Sequence, residues 1–137
     1  MKECNETITV LNRKYNPETK HDEWNPTVIH GVSWYSKIAA AVTQAGLKSA
    51  DTAVVRIPVD ADTGERSYLT PAAYKAAESV SDAYTLARGD VIVHAELTES
   101  MTPAQAQAAY GDDALTIIGT ADNTRRPRAP HRRVVLA

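Results

Sequence analysis

In two stretches of the chain, side chains of similar character recur at every second position, which is the period of a β-strand. In residues 27–35, one face would carry the larger side chains, which are Val28, His30, Val32 and Trp34. In residues 91–97, one face would carry apolar side chains, which are Val91, Val93, Ala95 and Leu97. Both stretches therefore predict strands with one buried face, and the first one places His30 in the core.

Four further segments have the composition of strands, because they are rich in apolar and β-branched residues and bounded by turn residues. These segments are residues 6–14, 52–58, 114–121 and 131–136. Residues 15–26 predict turns, since Asn16-Pro17 and Asn25-Pro26 interrupt regular structure. Residues 37–45 are ambiguous between helix and strand, because alanine favours a helix.

Capping residues predict two short helices between the later strands. Thr70 is a suitable N-cap for a helix that begins at Pro71. Thr102 and Gln105 have the spacing of a capping box. Gly111 would end the second helix, because glycine readily adopts the left-handed conformation that follows a helix.

Together these elements predict one mainly β domain over residues 1–137. Six or seven strands at short spacing favour a small antiparallel β-barrel or sandwich. Residues 59–87, an exposed loop followed by the first helix, would form a long insertion, and residues 125–137 would form a basic connection and the last strand. A chain of 137 residues suits a single domain with one modest core.

The composition points to a reducing compartment. No run approaches the roughly 20 apolar residues that a membrane span requires, and the first residues lack the apolar segment of a signal peptide. Cys4 is the single cysteine, so no disulfide can form within the chain. We therefore expect a protein that folds in the cytosol and makes no use of a membrane.

The formal net charge of −2 conceals an uneven distribution of sign. Residues 125–133 contain five arginines and no acid, while the rest of the chain carries an excess of seven negative charges. These arginines have three interpretations: a solvated segment, a contact with an acidic protein, or a contact with nucleic acid. Because no aromatic residue interleaves with them for base stacking, we expect Arg125, Arg126 and Arg128 to contact protein rather than DNA.

Side chains that perform enzyme chemistry form no familiar pattern in this sequence. No two histidines have the spacing of zinc ligands. Asp60, Asp62 and Glu65 around Gly64 resemble a calcium loop in composition, but the EF-hand spacing is missing. The sequence has no motif for a catalytic nucleophile and no phosphate-binding glycine loop. We therefore expect neither enzyme activity nor a metal or other cofactor.

An ordered set of short motifs spans nearly the whole chain. They are Cys-Asn-Glu-Thr-Ile-Thr-Val at 4–10, Gly-Val-Ser-Trp-Tyr at 31–35, Gly-Leu-Lys-Ser-Ala-Asp at 46–51, Val-Arg-Ile-Pro at 55–58, Ser67-Tyr68, Arg-Gly-Asp-Val-Ile-Val at 88–93 and Pro-His at 130–131. In this order they resemble a family of tailed-phage and prophage proteins, common in phages of low-GC Gram-positive bacteria. The order of the motifs carries the resemblance, because none of them is chemically diagnostic alone.

The resemblance implies a neck component of the virion, similar to head-closure, or stopper, proteins and assembled in the cytoplasm of the bacterial host. Such a protein would be a small β-barrel whose long insertion corresponds to residues 59–87. It would form a homo-oligomeric ring, expected to hold six copies, between the portal–adaptor and tail proteins. Genome DNA would pass through the lumen without specific binding, and no cofactor is implied. The helix at 102–110 departs from the stopper layout and leaves adaptor, tail-terminator and minor capsid roles open.

Contacts between subunits or with partners are expected at a set of charged and aromatic residues. They are Asp60, Asp62, Tyr68, Arg125, Arg126 and Arg128. The alternative from a different functional class is a small nucleic-acid-binding regulatory domain that uses the arginines. Such a domain would bind duplex DNA with a steep dependence on salt.

Overall fold

The computed structural model describes residues 5–43, 46–77, 80, 82–97, 99–125, 127–128 and 130–137; for residues 36–52 and for Asp112 it describes the backbone alone. The elements of this part of the chain are the strands β1 (Glu6–Asn16), β2 (His21–Thr43), β3 (Gly46–Pro58), β4 (Ser67–Tyr68), β5 (Ala83–Tyr84), β6 (Val91–Val93), β7 (Ala114–Asn123) and β8 (His131–Leu136), the helices α1 (Pro71–Ala76) and α2 (Pro103–Tyr110), and a 3₁₀ turn at Gly111–Asp113.

Six of these strands form a cycle of antiparallel pairs. The order of pairing is β1, β2, β3, β8, β7 and β6, and β6 pairs with β1. The pairs divide into two sheets that share the long strands β2 and β7. The fold therefore combines the connectivity of a barrel with the two layers of a sandwich, and the prediction of a mainly β domain of this class is confirmed.

Gly31 creates the irregularity that lets β2 serve both sheets. Val32 pairs with Glu6 and His30 pairs with Thr7, so Gly31 is the extra residue of a β-bulge. Its φ of 82° lies in the left-handed region, where glycine is favoured because it has no Cβ. Bulges bend a strand and increase its twist, which is what a strand needs to leave one sheet and join another.

The bulge also shifts by one residue which side chains of β2 face the interior. Thr27 and Ile29 are buried before the bulge, and Val32 is buried after it. A single uninterrupted alternation cannot bury all three. His30 is exposed as a result, and the prediction that placed it in the core is wrong.

The core lies in two clusters on opposite sides of β6. Ile92 belongs to the main cluster between the two sheets. Val91 and Val93 belong to a second cluster on the outer side, where they pack with Leu11 of β1 and Ala106 of α2. The alternation predicted for this strand is thus confirmed over three residues, although both of its faces are buried and the strand ends at Val93.

Both helix predictions are confirmed by their caps. The Thr70 side chain accepts a hydrogen bond from the backbone of Ala73. Thr102 and Gln105 form both hydrogen bonds of the capping box. Gly111 follows α2 with a φ of 58°, as expected for a glycine that ends a helix.

In the region around β2, one prediction is wrong and one ambiguous segment is resolved. Asn25-Pro26 does not form a turn, because both residues lie within β2 and Pro26 pairs with Leu11. Among the described strands, β3 pairs with β2 only from Ser33 onward, so one edge of β2 has no neighbouring strand at Pro26. Proline lacks a backbone N–H, and this loss costs little at an unpaired edge. The ambiguous segment 37–45 continues the strand as far as Thr43, and its last two residues lie outside the described part.

The insertion at 59–87 is fastened to the barrel. Tyr84 and Leu86 are buried in the main core. Tyr68 contacts Tyr84 edge to face, with ring centroids 5.7 Å apart. Arg66 donates hydrogen bonds from Nη1 to the side-chain oxygens of Asn25 and Thr27, at 3.1 and 3.0 Å. The insertion therefore completes the core of the single chain rather than extending freely from it.

Hydrogen exchange should divide this insertion into two parts. In the single subunit, amides of residues 63–65 should exchange fast, because they donate to no backbone carbonyl among the described residues. Amides of Val59 and Asp62, which donate to the carbonyls of Pro130 and His30, and amides of residues 83–86 should exchange more slowly. Within the insertion, assembly should slow exchange only at residues 63–65. Mass spectrometry of proteolytic peptides measures this; uniformly fast exchange across 59–87 would contradict the packing of Tyr84 and Leu86.

Candidate interaction surfaces

The β2–β3 hairpin extends beyond the other strands. Its backbone pairs run without interruption from Ser36–Ala53 to Thr43–Gly46. β8 pairs with β3 only from Ala53 to Pro58. β1 pairs with β2 only as far as Val32. We call residues 36–52 the arm; its eight pairs span about 25 Å at the rise of an antiparallel strand.

The arm has little to stabilise it within the described chain. A two-stranded hairpin without a third strand or a packed face is marginally stable in water. Among the described residues, neither outer edge of the arm has a pairing partner, so backbone N–H and C=O groups are available there. Eight of its 17 residues are Ala, Ile, Val or Leu, and three are charged. The arm is therefore suited to pairing with, or packing on, another chain.

Two neighbouring loops at the other end of β3 carry most of the predicted contact residues. The loop after β3 and the β7–β8 connection meet where the backbone N–H of Val59 donates to the carbonyl of Pro130, at 3.2 Å. The exposed predicted residues on these loops are Asp60, Asp62, Arg125 and Arg128. Arg126 lies outside the described residues. The structure thus brings the predicted acids and arginines to one end of the barrel.

Tyr68 is held mainly by its own chain. The guanidinium of Arg132 lies over the Tyr68 ring, with its central carbon 3.8 Å from the ring centroid. The Tyr68 ring also contacts the Tyr84 ring. Burial raises the pKa of Tyr84, and the positive charge of Arg132 opposes this rise with a smaller effect. Arg132 and Arg133 lie in β8. The arginine-rich segment is therefore a loop followed by a strand, and not a free tail.

Charged side chains of the described residues form one ion pair, between His94 Nε2 and Glu6 Oε2 at 2.9 Å. The His94 ring also stacks on Trp34, with centroids 4.3 Å apart. No described Lys or Arg lies within 4.0 Å of a carboxylate. The basic and acidic side chains are thus free of such pairing within the described chain.

A buried polar network joins β1 to the end of the insertion, and sequence reasoning did not single it out. Asn12 Nδ2 donates to the Thr85 carbonyl at 2.6 Å and to Asp90 Oδ2 at 2.8 Å, and the Thr85 N–H donates to Asn12 Oδ1 at 3.1 Å. Arg13 N donates to Asp90 Oδ1 at 3.3 Å. The Asn12 amide therefore pairs with the Thr85 backbone as a neighbouring strand would. The only sequence signal was a polar residue on the same side of the strand as Ile8 and Val10.

Asp90 is an acid in an unfavourable environment for its charge. Burial raises its pKa above the usual value, and the hydrogen bonds from Asn12 and Arg13 oppose that shift. A cavity of about 620 Å³ lies beside it, lined also by Lys14 and Tyr74. Lys14 Nζ already donates to the carbonyls of Tyr74 and Lys75, at 2.9 and 2.6 Å, so it caps the end of α1. These contacts give the network a role in holding the insertion to the barrel.

Metal ligands do not converge in the described structure. No group of three or more described His, Cys, Asp or Glu side chains is placed to hold a metal ion. No helix in the described part of the chain is long and apolar enough to cross a membrane.

Replacing Asp90 should change how stability depends on pH. Because the pKa of Asp90 is raised in the folded state, the folded protein binds this proton more tightly than the unfolded chain does. The contribution of Asp90 to stability is therefore fully present below its unfolded pKa of about 3.9, and it declines as the pH rises through the folded pKa. Urea unfolding should show the stability of the natural protein falling relative to Asp90→Asn as the pH rises from about 4. A constant difference would mean that burial does not perturb Asp90.

Comparison with curated proteins finds no match, and comparison with solved structures finds none. One family model, described as a family of unknown function, DUF6751, matches residues 3–135. Because this match covers nearly the whole sequence, the chain belongs to that family of unknown function.

Proposed function

We propose that this protein is a structural component of a tailed-bacteriophage neck. In this proposal it forms a head–tail connector ring of the head-closure type, joins the portal–adaptor to the tail, and has no enzyme activity. The observation that carries the proposal is the arm, a two-stranded ribbon whose outer edges have no partner among the described residues.

The arm supports assembly because a β edge is a template for another chain. Adding a strand from a neighbour satisfies the open backbone groups, and the apolar residues gain a surface on which to pack. In this proposal, the arm of one subunit contacts a different surface of the next subunit. Such head-to-tail contacts generate rings when the rotation between subunits closes.

The barrel interior supports a structural role for each subunit. The main core fills the space between the sheets with apolar side chains, so a DNA passage would lie between subunits of the ring and not through one barrel. Adaptor, tail-terminator and minor capsid roles remain variants of the same proposal, because α2 is extra relative to the stopper layout.

Removing the arm should abolish assembly and spare the fold. Residues 37–52 are replaced by Asn-Gly, which suits a two-residue turn between the paired residues Ser36 and Ala53. The barrel should keep its melting temperature within a few degrees, since the deleted segment pairs with neither β1 nor β8 in the described structure. Native mass spectrometry, alone and with portal–adaptor complexes, should show rings for the natural protein and monomers for the variant.

The matched control shortens the opposite hairpin. Replacing residues 17–20, the exposed turn between β1 and β2, with Asn-Gly shortens a hairpin at the other end of β2 and should leave assembly intact. Assembly of the armless variant at the natural level would sink the proposal. Tight, strongly salt-dependent binding of duplex DNA by a chain that stays monomeric would instead favour the regulatory alternative.

A further inference from the structure

Acidic and basic residues are segregated along the second half of the chain. Residues 89–124 contain six carboxylates and no Lys or Arg, and the five arginines of 125–133 follow directly. Around α2, the exposed carboxylates whose side chains are described are Glu96, Glu99 and Asp113. We call these three residues the acidic surface.

Strand β7 holds the acidic surface away from the arginines. Asp113 directly precedes β7, and Arg125 follows its last residue by two positions. Ten residues of extended strand separate these points by about 30 Å. The His94 backbone N–H donates to the Asp113 carbonyl at 2.7 Å, which keeps the segment leading to Glu96 at the Asp113 end. Asp113 is therefore too far from Arg125 to pair with it within one chain, and neither Glu96 nor Glu99 has a described Lys or Arg within 4.0 Å.

The basic side is equally without pairing. Arg125, Arg128 and Arg133 are exposed, and none is paired with a carboxylate within 4.0 Å among the described side chains. Asp122 is the nearest acid in sequence, and it accepts hydrogen bonds from the Thr124 N–H and hydroxyl, which lower its pKa. We call Arg125 and Arg128 the arginine loop.

We infer that the arginine loop of one copy docks against the acidic surface of the next copy. This inference rests on the proposed function in requiring that copies assemble, and it names the surfaces that meet. The occupant is a second copy because the chain itself carries both complementary surfaces and fixes them far apart. Two different surfaces make a head-to-tail contact, which can close into a ring.

The charges set the conditions under which this contact forms. Exposed ion pairs are individually weak, so several pairs repeated around a ring must act together. The contact should weaken as the Debye length falls from about 10 Å at 0.1 M salt to about 3 Å at 1 M. Charge on these surfaces also guides the relative orientation of two copies and discourages like-charged alternatives.

Charge exchange tests the inference. Three variants are compared with the natural chain at about 0.1 M salt: Arg125→Glu with Arg128→Glu, Glu96→Lys with Glu99→Lys, and all four changes in one chain. Each double variant should assemble at least tenfold more weakly by sedimentation velocity. The fourfold variant should recover assembly, and so should an equimolar mixture of the two double variants, because each restores opposite charges across the contact.

The matched control exchanges charges elsewhere on the surface. Glu18→Lys with Lys20→Glu reverses two exposed residues of the β1–β2 turn and should not alter assembly. All substituted side chains are exposed, so every variant should retain the melting temperature of the natural protein.

The outcomes separate this contact from the proposed function. Natural chains that assemble, with double variants that assemble equally well, overturn the contact and leave the ring in place. Double variants that fail, with no recovery in the fourfold variant or in the mixture, overturn the pairing of these two surfaces. A natural chain that stays monomeric with and without portal–adaptor complexes overturns the contact and the proposed function together.

Discussion

The β-bulge at Gly31 is the constraint on which the architecture depends. β2 pairs with β1 before the bulge and with β3 after it. The change of inward-facing positions at Gly31 buries both Ile29 and Val32 in the same core. These residues are three positions apart, so regular alternation would place them on opposite faces of the strand. A strand that kept one alternation would leave one of the two sheets with its polar face inward.

The same strand produces the arm. β2 continues beyond its last pair with β1, and β3 begins before its first pair with β8. The hairpin therefore leaves the barrel without a third strand among the described residues. At the far end of β3, the insertion returns Tyr84 and Leu86 to the core, and Asn12 locks the following segment in place. One end of the subunit is thus closed by its own chain, while the other presents backbone edges that another chain can satisfy.

Local signals made much of the fold predictable from the sequence. The caps at Thr70 and Thr102 act within one helical turn, and β8 was predicted with its observed bounds because His131–Leu136 follows a Pro- and Arg-rich connection. Pro26 and His30 were misplaced because their surroundings depend on pairing partners that are distant in sequence. An open strand edge tolerates Pro26, and a bulge exposes His30.

The candidate surfaces were less predictable for the same reason. Charge counting found the arginines, but it could not show that Arg132 would stack on Tyr68, or that β7 would hold Asp113 and Arg125 at opposite ends. Asn12 gave no signal of its own, since its partners Thr85 and Asp90 lie more than seventy residues away. Contacts of this range are set by the completed barrel, and short sequence patterns do not contain them.

Electron microscopy of the purified protein together with its portal–adaptor complex tests whether the subunits assemble through the arm. We expect ring-shaped particles with an open lumen, in which the arm of each subunit contacts the neighbouring subunit. Assembly through the arm is excluded if subunits remain monomeric in the presence of the portal–adaptor, or if they assemble without any contact made by the arm.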